Sequence, residues 1–335
     1  MRVVVTGATG NVGTGVIRAL ADEPGVAEVV GVARRRPTLE VRKVSWRTAD
    51  VMRDDLADAF AGADAVVHLV WCVQPNHRVA ALAAANVGGS LRVFDAAAAA
   101  GAGTLVVASA FGAYSPGPPG RAADESWPTH GIPTSPYSQQ KAYVERVLDA
   151  FELAHPEMRV VRFRSALVVR REVGAQAHRL YGGPLVPRAL VHPALLVALP
   201  WVPSLRTQAV HSSDVGRAYA RALVSGARGA FNLAADPPLD AETVSVALGA
   251  RLLPVPVRAV RGAVAATWRL HLQRTHPEWV DLLLHSPLLD TSRAGAELGW
   301  APEVSATDAV AEFVEGVAEG AGDATAPLTP RRRRL

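Results

Sequence analysis

A single cysteine, Cys72, stands in 335 residues, so no internal disulfide can staple this chain and a reducing compartment, the cytoplasm, is expected. Charged residues make up only 20% and aromatics 6%, against 49% hydrophobic residues, a balance that favours a soluble globular protein with a large buried core. The formal charge is only +4, and Arg331 to Arg334 concentrate much of it at one end, so no nucleic-acid partner is expected. Long apolar runs are missing as well. The most apolar region, Ala189 to Val202, is broken by Pro193 and Pro200 and falls short of the ~20 residues a membrane span requires. Met1-Arg2 runs directly into an apolar strand, which predicts no signal peptide, and no residue spacing suggests a metal site.

What is present begins at residue 3. Val3-Val4-Val5-Thr6-Gly7-Ala8-Thr9-Gly10-Asn11-Val12-Gly13 reads as a buried parallel strand, a phosphate loop and the start of a helix. Gly7 permits a tight turn, Gly10 lets backbone approach a pyrophosphate, and Gly13 lets the helix pack closely on the sheet. The helix through Val16 to Leu20 would aim its free N–H groups and positive dipole end at the phosphates. Thr9, Asn11 and Val12 belong to the same candidate cofactor contacts.

A second strand, Ala27 to Val32, ends in Ala33-Arg34-Arg35-Arg36. An acidic side chain there would bond ribose hydroxyls, whereas arginine accommodates a 2′-phosphate, so Arg34 and Arg35 predict NADP rather than NAD. A third strand, Val41 to Thr48, closes on Asp50 and Val51, and Arg53 to Leu56 opens a helix. Asp50 is placed either to bond the adenine or to cap that helix. A fourth strand, Ala65 to Val70, carries Leu69 beneath the nicotinamide end, with His68 as a structural residue. A fifth, Thr104 to Ala110, leads into a Gly- and Pro-rich loop from Phe111 to Pro136 that is long enough to be functional.

That loop ends at Ser135-Pro136-Tyr137-Ser138-Gln139-Gln140-Lys141, the opening of a helix reaching about His155. Tyr137 and Lys141, four apart, share a face. An ammonium beside a phenol favours phenolate and lowers a pKa that is otherwise near 10, and such a tyrosine can exchange a proton with a carbonyl or carbinol oxygen.

With these motifs the chain resembles the extended branch of the short-chain dehydrogenase/reductase superfamily, the NAD-dependent epimerase/dehydratase family. Asn86-Val87-Gly88-Gly89-Ser90, Val210 to Val215, Phe231-Asn232-Leu233, Asp290 to Arg293 and Glu297 to Trp300 carry the resemblance further along the chain. It implies hydride transfer at a bound nicotinamide, with Tyr137 as acid–base group and Lys141 holding both the ribose and the tyrosine's pKa. It also implies a homodimer built from His77 to Ala100 and from Tyr137 to His155. Three positions depart from the family pattern. Ala110 replaces the usual Ser or Thr, so Ser109 serves as the third catalytic residue only if the strand bulges. Ser165, beside Arg164, replaces the Asn of sugar-nucleotide members, and this pair forms the candidate substrate contacts. Ala33-Arg34-Arg35 replaces the acidic strand end.

The expected architecture is α/β, a Rossmann-type doubly wound parallel sheet with a smaller C-terminal substrate lobe. Residues 1–165 and about 206–235 form the dinucleotide-binding domain, about 166–205 and 236–320 the lobe, and 321–335 a disordered basic tail. Leu180 to Pro187 and Leu195 to Val202 suit an apolar substrate pocket or ordinary lobe core. The leading expectation is an NADP-dependent oxidoreductase acting on a small-molecule carbonyl or secondary alcohol. The rivals are a sugar-nucleotide epimerase or dehydratase with an internally recycled cofactor, and a catalytically silent NADP-binding sensor.

Overall fold

The computed structural model describes residues 1–73, 79–118, 121–182, 198–273 and 275–330. In chain order the first half runs β1 (Arg2–Thr6), α1 (Asn11–Asp22), β2 (Glu28–Ala33), β3 (Val44–Thr48), α2 (Ala57–Phe60), β4 (Ala65–His68), α3 (Val79–Ala83), α4 (Gly89–Ala99), β5 (Thr104–Ala108), α5 (Pro136–Ala154), β6 (Arg159–Ser165) and β7 (Leu167–Val169). The second half adds α6 (Gly174–Ala177), β8 (Ala198–Trp201), β9 (Thr207–His211), α7 (Ser212–Ser225), β10 (Gly229–Leu233), β11 (Ala235–Leu239), α8 (Ala241–Leu248), β12 (Arg251–Pro254), α9 (Val257–Arg269), α10 (Glu278–His285), α11 (Ser292–Leu298) and α12 (Ala306–Glu319).

Seven strands form one parallel sheet in the order β10-β6-β5-β4-β1-β2-β3. Side chains alternate between the two faces of a strand. Val3 and Val5 accordingly pack with Val16, Ile17, Val215 and Leu223 of α1 and α7. Val4 packs on the other side with Val93, Phe94, Val144 and Leu148 of α4 and α5. Both faces are covered, which is why β1, β2, β4 and β5 read as nearly unbroken apolar runs. The chain winds from β1 outward through β2 and β3, then returns to lay β4 on β1's other flank, and the crevice at that reversal is where such sheets bind ligands.

Outside this sheet, β7, β9 and β11 make a three-stranded sheet and β8 pairs with β12. Ala209, Leu239, Val244 and Ala306 centre a smaller core beside them. Residues 183–197, which hold much of the expected apolar pocket segment, lie outside the described residues. Among the described residues no helix is long and apolar enough to cross a membrane, and no group of three His, Cys, Asp or Glu side chains could hold a metal ion.

Two local expectations are corrected. The third strand begins at Val44 rather than Val41, because Lys43 turns into the left-handed region at φ 61° and sends Nζ to the carbonyls of Glu23 and Val26. The helix expected from Arg53 starts only at Ala57, since Asp50 Oδ1 accepts the Met52 N–H and Asp54 Oδ2 the Asp50 N–H in a turn.

The expectation of a disordered tail fails for its described part. Leu328 is fully buried, Arg18 and Arg170 both donate to Asp323 Oδ2, at 2.8 and 3.1 Å, and Thr325 Oγ1 donates to the Thr9 carbonyl. Small polar composition suggested disorder, yet residues 321–330 are held by partners more than a hundred positions away. Residues 331–335, with the arginine run, lie outside the described residues.

Candidate functional site

The glycine loop is shaped by contacts that leave no room for side chains. Gly7 has φ 74°, and a Cβ there would lie 2.8 Å from the Leu69 carbonyl carbon, so the end of β4 passes directly under the turn. A Cβ on Gly13 would fall 2.2 Å from the Gly7 carbonyl oxygen, which locks the first turn of α1 onto the loop. At Gly10 the nearest obstacle is that same oxygen at 3.4 Å, so the loop's outer side is open to a ligand. Gly10 caps α1 without any side-chain hydrogen bond, and no acidic residue sits in the first turn. The N–H groups of Asn11, Val12 and Gly13 are therefore unclaimed by a capping side chain, as an anion site requires. Asn11 Nδ2 donates to the Val168 carbonyl at 2.7 Å while its buried Oδ1 has no partner. An open backbone cradle at a positive helix end fits a dinucleotide pyrophosphate.

Beyond β2, Arg34 and Arg35 are exposed, and among the described residues neither makes a hydrogen bond or ion pair. Burial pushes the Cys72 thiol up, with Arg34 pulling it down and Asp50 pushing it further up, which puts all three within electrostatic reach at this mouth. Asp50 itself serves the turn already described, and Val51 is buried against α4.

At the other end of the crevice stands α5. Ser135 caps it through Oγ, accepting the Ser138 N–H, and Pro136 occupies the first turn, where its missing N–H costs nothing. Tyr137 and Lys141 emerge one turn apart. The Tyr137 ring meets Trp71 edge-on at 6.1 Å and Trp279 at 5.2 Å, and Tyr181 closes on Trp279 at 5.9 Å. Lys141 Nζ donates to the Ala108 carbonyl at 2.8 Å and sits 3.6 Å above the Trp71 ring. Burial pulls this ammonium down to about 7, against Glu145, which raises it. Burial also raises the Tyr137 phenol, with Tyr181 adding to the rise. The lowering by Lys141 expected from sequence does not appear: burial and Tyr181 set the direction of the Tyr137 phenol, and the Lys141 ammonium is seated on Trp71 and the Ala108 carbonyl. His68 is held down to about 3, first by burial and then by the Lys141 charge, so it stays neutral. Ser90 Oγ gives its proton to the Asn86 carbonyl, so His68 must donate from Nε2 to Ser90 and accept at Nδ1 from Thr6. That closed chain makes it structural.

Two proposed site residues are corrected. Ser109 Oγ donates to Glu145 Oε1 at 2.6 Å, and the buried Ala110 takes the opposite side, so no bulge brings Ser109 to Tyr137. Arg164, offered as a substrate contact, is engaged within the fold. It is buried, gives two hydrogen bonds of 3.0 Å to the carboxylate of Glu145, and bonds the Tyr114 hydroxyl and the Glu125 carbonyl. Burial alone would push the Glu145 carboxyl up; Arg164 and Arg162, with Ser109, overcome it and hold it at about 2. Ser165 ends β6 and is buried. The residues missed from sequence are Trp71, Glu145, Glu278 and Trp279, whereas Tyr181 stands in the Leu180 to Pro187 segment that the sequence offers as an apolar pocket or lobe core. Only Glu145 left a signal, standing one further turn along the face of α5 that carries Tyr137 and Lys141.

Residues 3–234 match the NAD dependent epimerase/dehydratase family. An uncharacterized protein of Mycobacterium tuberculosis is 25% identical over 331 residues, covering 94% of this chain and 83% of its own length. The L-arabinose 1-dehydrogenase (NAD(P)(+)) of Haloferax volcanii is 37% identical over 108 residues, 32% of this chain and 40% of that protein. In fold, the chain is similar to the UDP-glucose 4-epimerase of Thermus thermophilus in complex with NAD, with a TM-score of 0.69 and 23% identity over 95% of this chain and 99% of that one.

Proposed function

Since the chain belongs to the NAD dependent epimerase/dehydratase family and is an enzyme of that kind, we propose that it is an NADP-dependent oxidoreductase for a small-molecule carbonyl or secondary alcohol, with Tyr137 as acid–base group. The observation that carries the cofactor choice is the exposed, unpaired Arg34-Arg35 pair directly after the end of β2, where no acidic side chain stands. When bound, the nicotinamide supplies or accepts the hydride. Gly7, Thr9, Gly10, Asn11, Val12 and Gly13 would cradle the pyrophosphate, Arg34 and Arg35 the 2′-phosphate, and Asp50, Val51 and Leu69 the remaining surface.

The chain's own part in the chemistry is proton transfer. A phenol raised by burial is fully protonated at neutral pH, so Tyr137 enters as an acid, the role that carbonyl reduction asks of it. Lys141, one turn along α5 from Tyr137, would hold the cofactor's ribose, and its ammonium would support the phenolate left behind. The rings of Trp71, Tyr181 and Trp279 around Tyr137 favour an apolar substrate.

Titration of the protein with NADP and NAD is expected to show tighter binding of NADP, and Arg34→Asp is expected to shift the preference toward NAD. Equal affinities, or NAD preferred, would defeat the assignment. Consumption of one NADPH per product separates this reading from an epimerase, which returns hydride internally and leaves the cofactor pool unchanged.

We further propose a homodimer through α4 and α5, supported by the exposed apolar side chains of Leu91, Tyr143 (55% exposed) and Leu153 (85%) on these helices. The segment expected from His77 begins among residues 74–78, which lie outside the described residues. Light scattering is expected to give twice the 35.2 kDa of the chain, and a monomer at micromolar concentration contradicts the proposal.

A further inference from the structure

Tyr137 is gripped by a segment that lies 141 positions further along the chain. Glu278, the first residue of α10, is only 8% exposed. Its Oε2 accepts the Tyr137 backbone N–H at 3.1 Å and the Ser135 hydroxyl, also at 3.1 Å. Both donors belong to the start of α5, where backbone N–H groups lack intrahelical partners and the positive dipole end favours a carboxylate. The adjacent residue, Trp279, lays its ring against the Tyr137 ring at 5.2 Å and 36°. One turn later Leu282 is fully buried, its Cδ1 only 3.1 Å from where a Cβ on Gly112 would lie. Three residues on, the Asp281 carboxylate is held in turn, Arg261 of α9 giving it two hydrogen bonds at 2.8 and 3.1 Å.

We infer that Glu278 and Trp279 are positioning residues for the reaction: Glu278 fixes the backbone of Tyr137, Trp279 fixes its ring, and the phenol reaches its working place only when α10 is docked. This rests on the reading of Tyr137 as the acid–base group. Helix capping alone asks for a Glu278 side chain but not for a neighbouring indole on the same tyrosine. A backbone anchor and a ring anchor delivered by consecutive residues of one remote helix restrain both the translation of Tyr137 and the rotation of its ring. Displacement of a reacting group by about 1 Å costs on the order of 10²-fold in rate, so the loss of either anchor should be visible in turnover.

The test uses the full chain with 3-fluorotyrosine in place of its five tyrosines, the Tyr137 fluorine signal being identified by its loss in Tyr137→Phe. In Glu278→Ala and in Trp279→Ala the Tyr137 signal is expected to move and broaden, while those of Tyr114, Tyr143 and Tyr219 keep their positions; Tyr181, whose ring meets Trp279, shifts with the indole's loss and serves as no reference. Turnover of NADPH with an accepted carbonyl substrate is expected to fall about 10- to 100-fold in kcat, with cofactor affinity unchanged. Glu278→Gln, whose amide oxygen can accept the same two hydrogen bonds, is expected to restore both signal and kcat, and Trp279→Phe to restore the ring contact in part. If Glu278→Ala does not fold, Trp279→Ala and Glu278→Gln carry the decision. A Tyr137 signal unmoved in a folded Trp279→Ala protein, or a Glu278→Gln enzyme as impaired as Glu278→Ala, overturns the inference. The fluorine signal reports placement without any turnover. If Tyr137→Phe remains fully active, the acid–base reading fails on that measurement and the placement result stands apart from it.

Discussion

Tyr137→Phe lowers turnover by roughly 10²–10⁴, the range expected for loss of a general acid, while the fold and NADP affinity survive. The substitution removes one hydroxyl, and among the described residues that hydroxyl has no hydrogen-bond partner to leave stranded. The phenylalanine ring keeps the contacts with Trp71 and Trp279 that seat this side chain. Because Ala110 offers no hydroxyl and Ser109 is bonded to Glu145, no second described side chain of that strand shares the proton transfer. Lys141→Ala should behave differently and weaken both cofactor binding and turnover if one ammonium serves the ribose and the phenol, as proposed. The measurement is steady-state oxidation of NADPH with a panel of ketones, beside a fluorescence titration of the cofactor. Full turnover by Tyr137→Phe on a substrate that the unmodified enzyme accepts refutes the mechanism.

The second large effect is on stability. Glu145 lies buried between Arg162 and Arg164, with Ser109 donating to it, and Glu145→Ala leaves two buried guanidinium groups without their shared carboxylate. Breaking a buried ion pair in this way costs about 3–5 kcal/mol, to be read from urea unfolding of variant and parent. Arg162 keeps Asp149 and Glu152, which places the loss mainly on Arg164. The pH dependence follows from the sign of the shift. A carboxyl ordinarily at 4.5 and held at about 2 in the folded chain contributes stability that is fully present above 4.5 and is lost as pH falls toward 2. That contribution is of the order of 3 kcal/mol, at about 1.4 kcal/mol per unit. Glu145→Ala should therefore flatten the acid limb between these two values. Identical acid limbs in parent and variant, or unchanged urea midpoints, would show that the network contributes nothing. Ser109→Ala belongs to the same experiment: it should cost about 1–2 kcal/mol of stability and leave kcat alone, the reverse of a catalytic serine's signature.

What could be read from the sequence is what depends on short separations along the chain. The glycine loop was legible because Gly7, Gly10 and Gly13 answer to one another within a single strand, turn and helix start, and the close approach of Gly13 to the Gly7 carbonyl is a contact six residues long. Tyr137 and Lys141 were legible because one turn of helix brings them to the same face. The unbroken apolar strands announced a sheet covered on both sides, and the parallel order β10-β6-β5-β4-β1-β2-β3 is that sheet.

Ser109 and Arg164 were misread for one reason: each faces a partner on α5 more than fifteen positions away, and only the packing of that helix on the sheet decides that Glu145 waits there. The same holds for the last described segment, whose small polar residues gave no hint of the arginines that hold Asp323. Trp71 and Trp279 were invisible as site residues, and Tyr181 was legible only as part of an apolar segment, because the rings gather around Tyr137 from three distant segments. The sequence by itself determined the glycine loop, the sheet and the tyrosine–lysine pair, all built from local periodicity. Tertiary structure alone decided which buried charges neutralise one another, and what surrounds the phenol, because burial and proximity across the chain, rather than residue type, set whether a side chain is spent on the fold or left for chemistry.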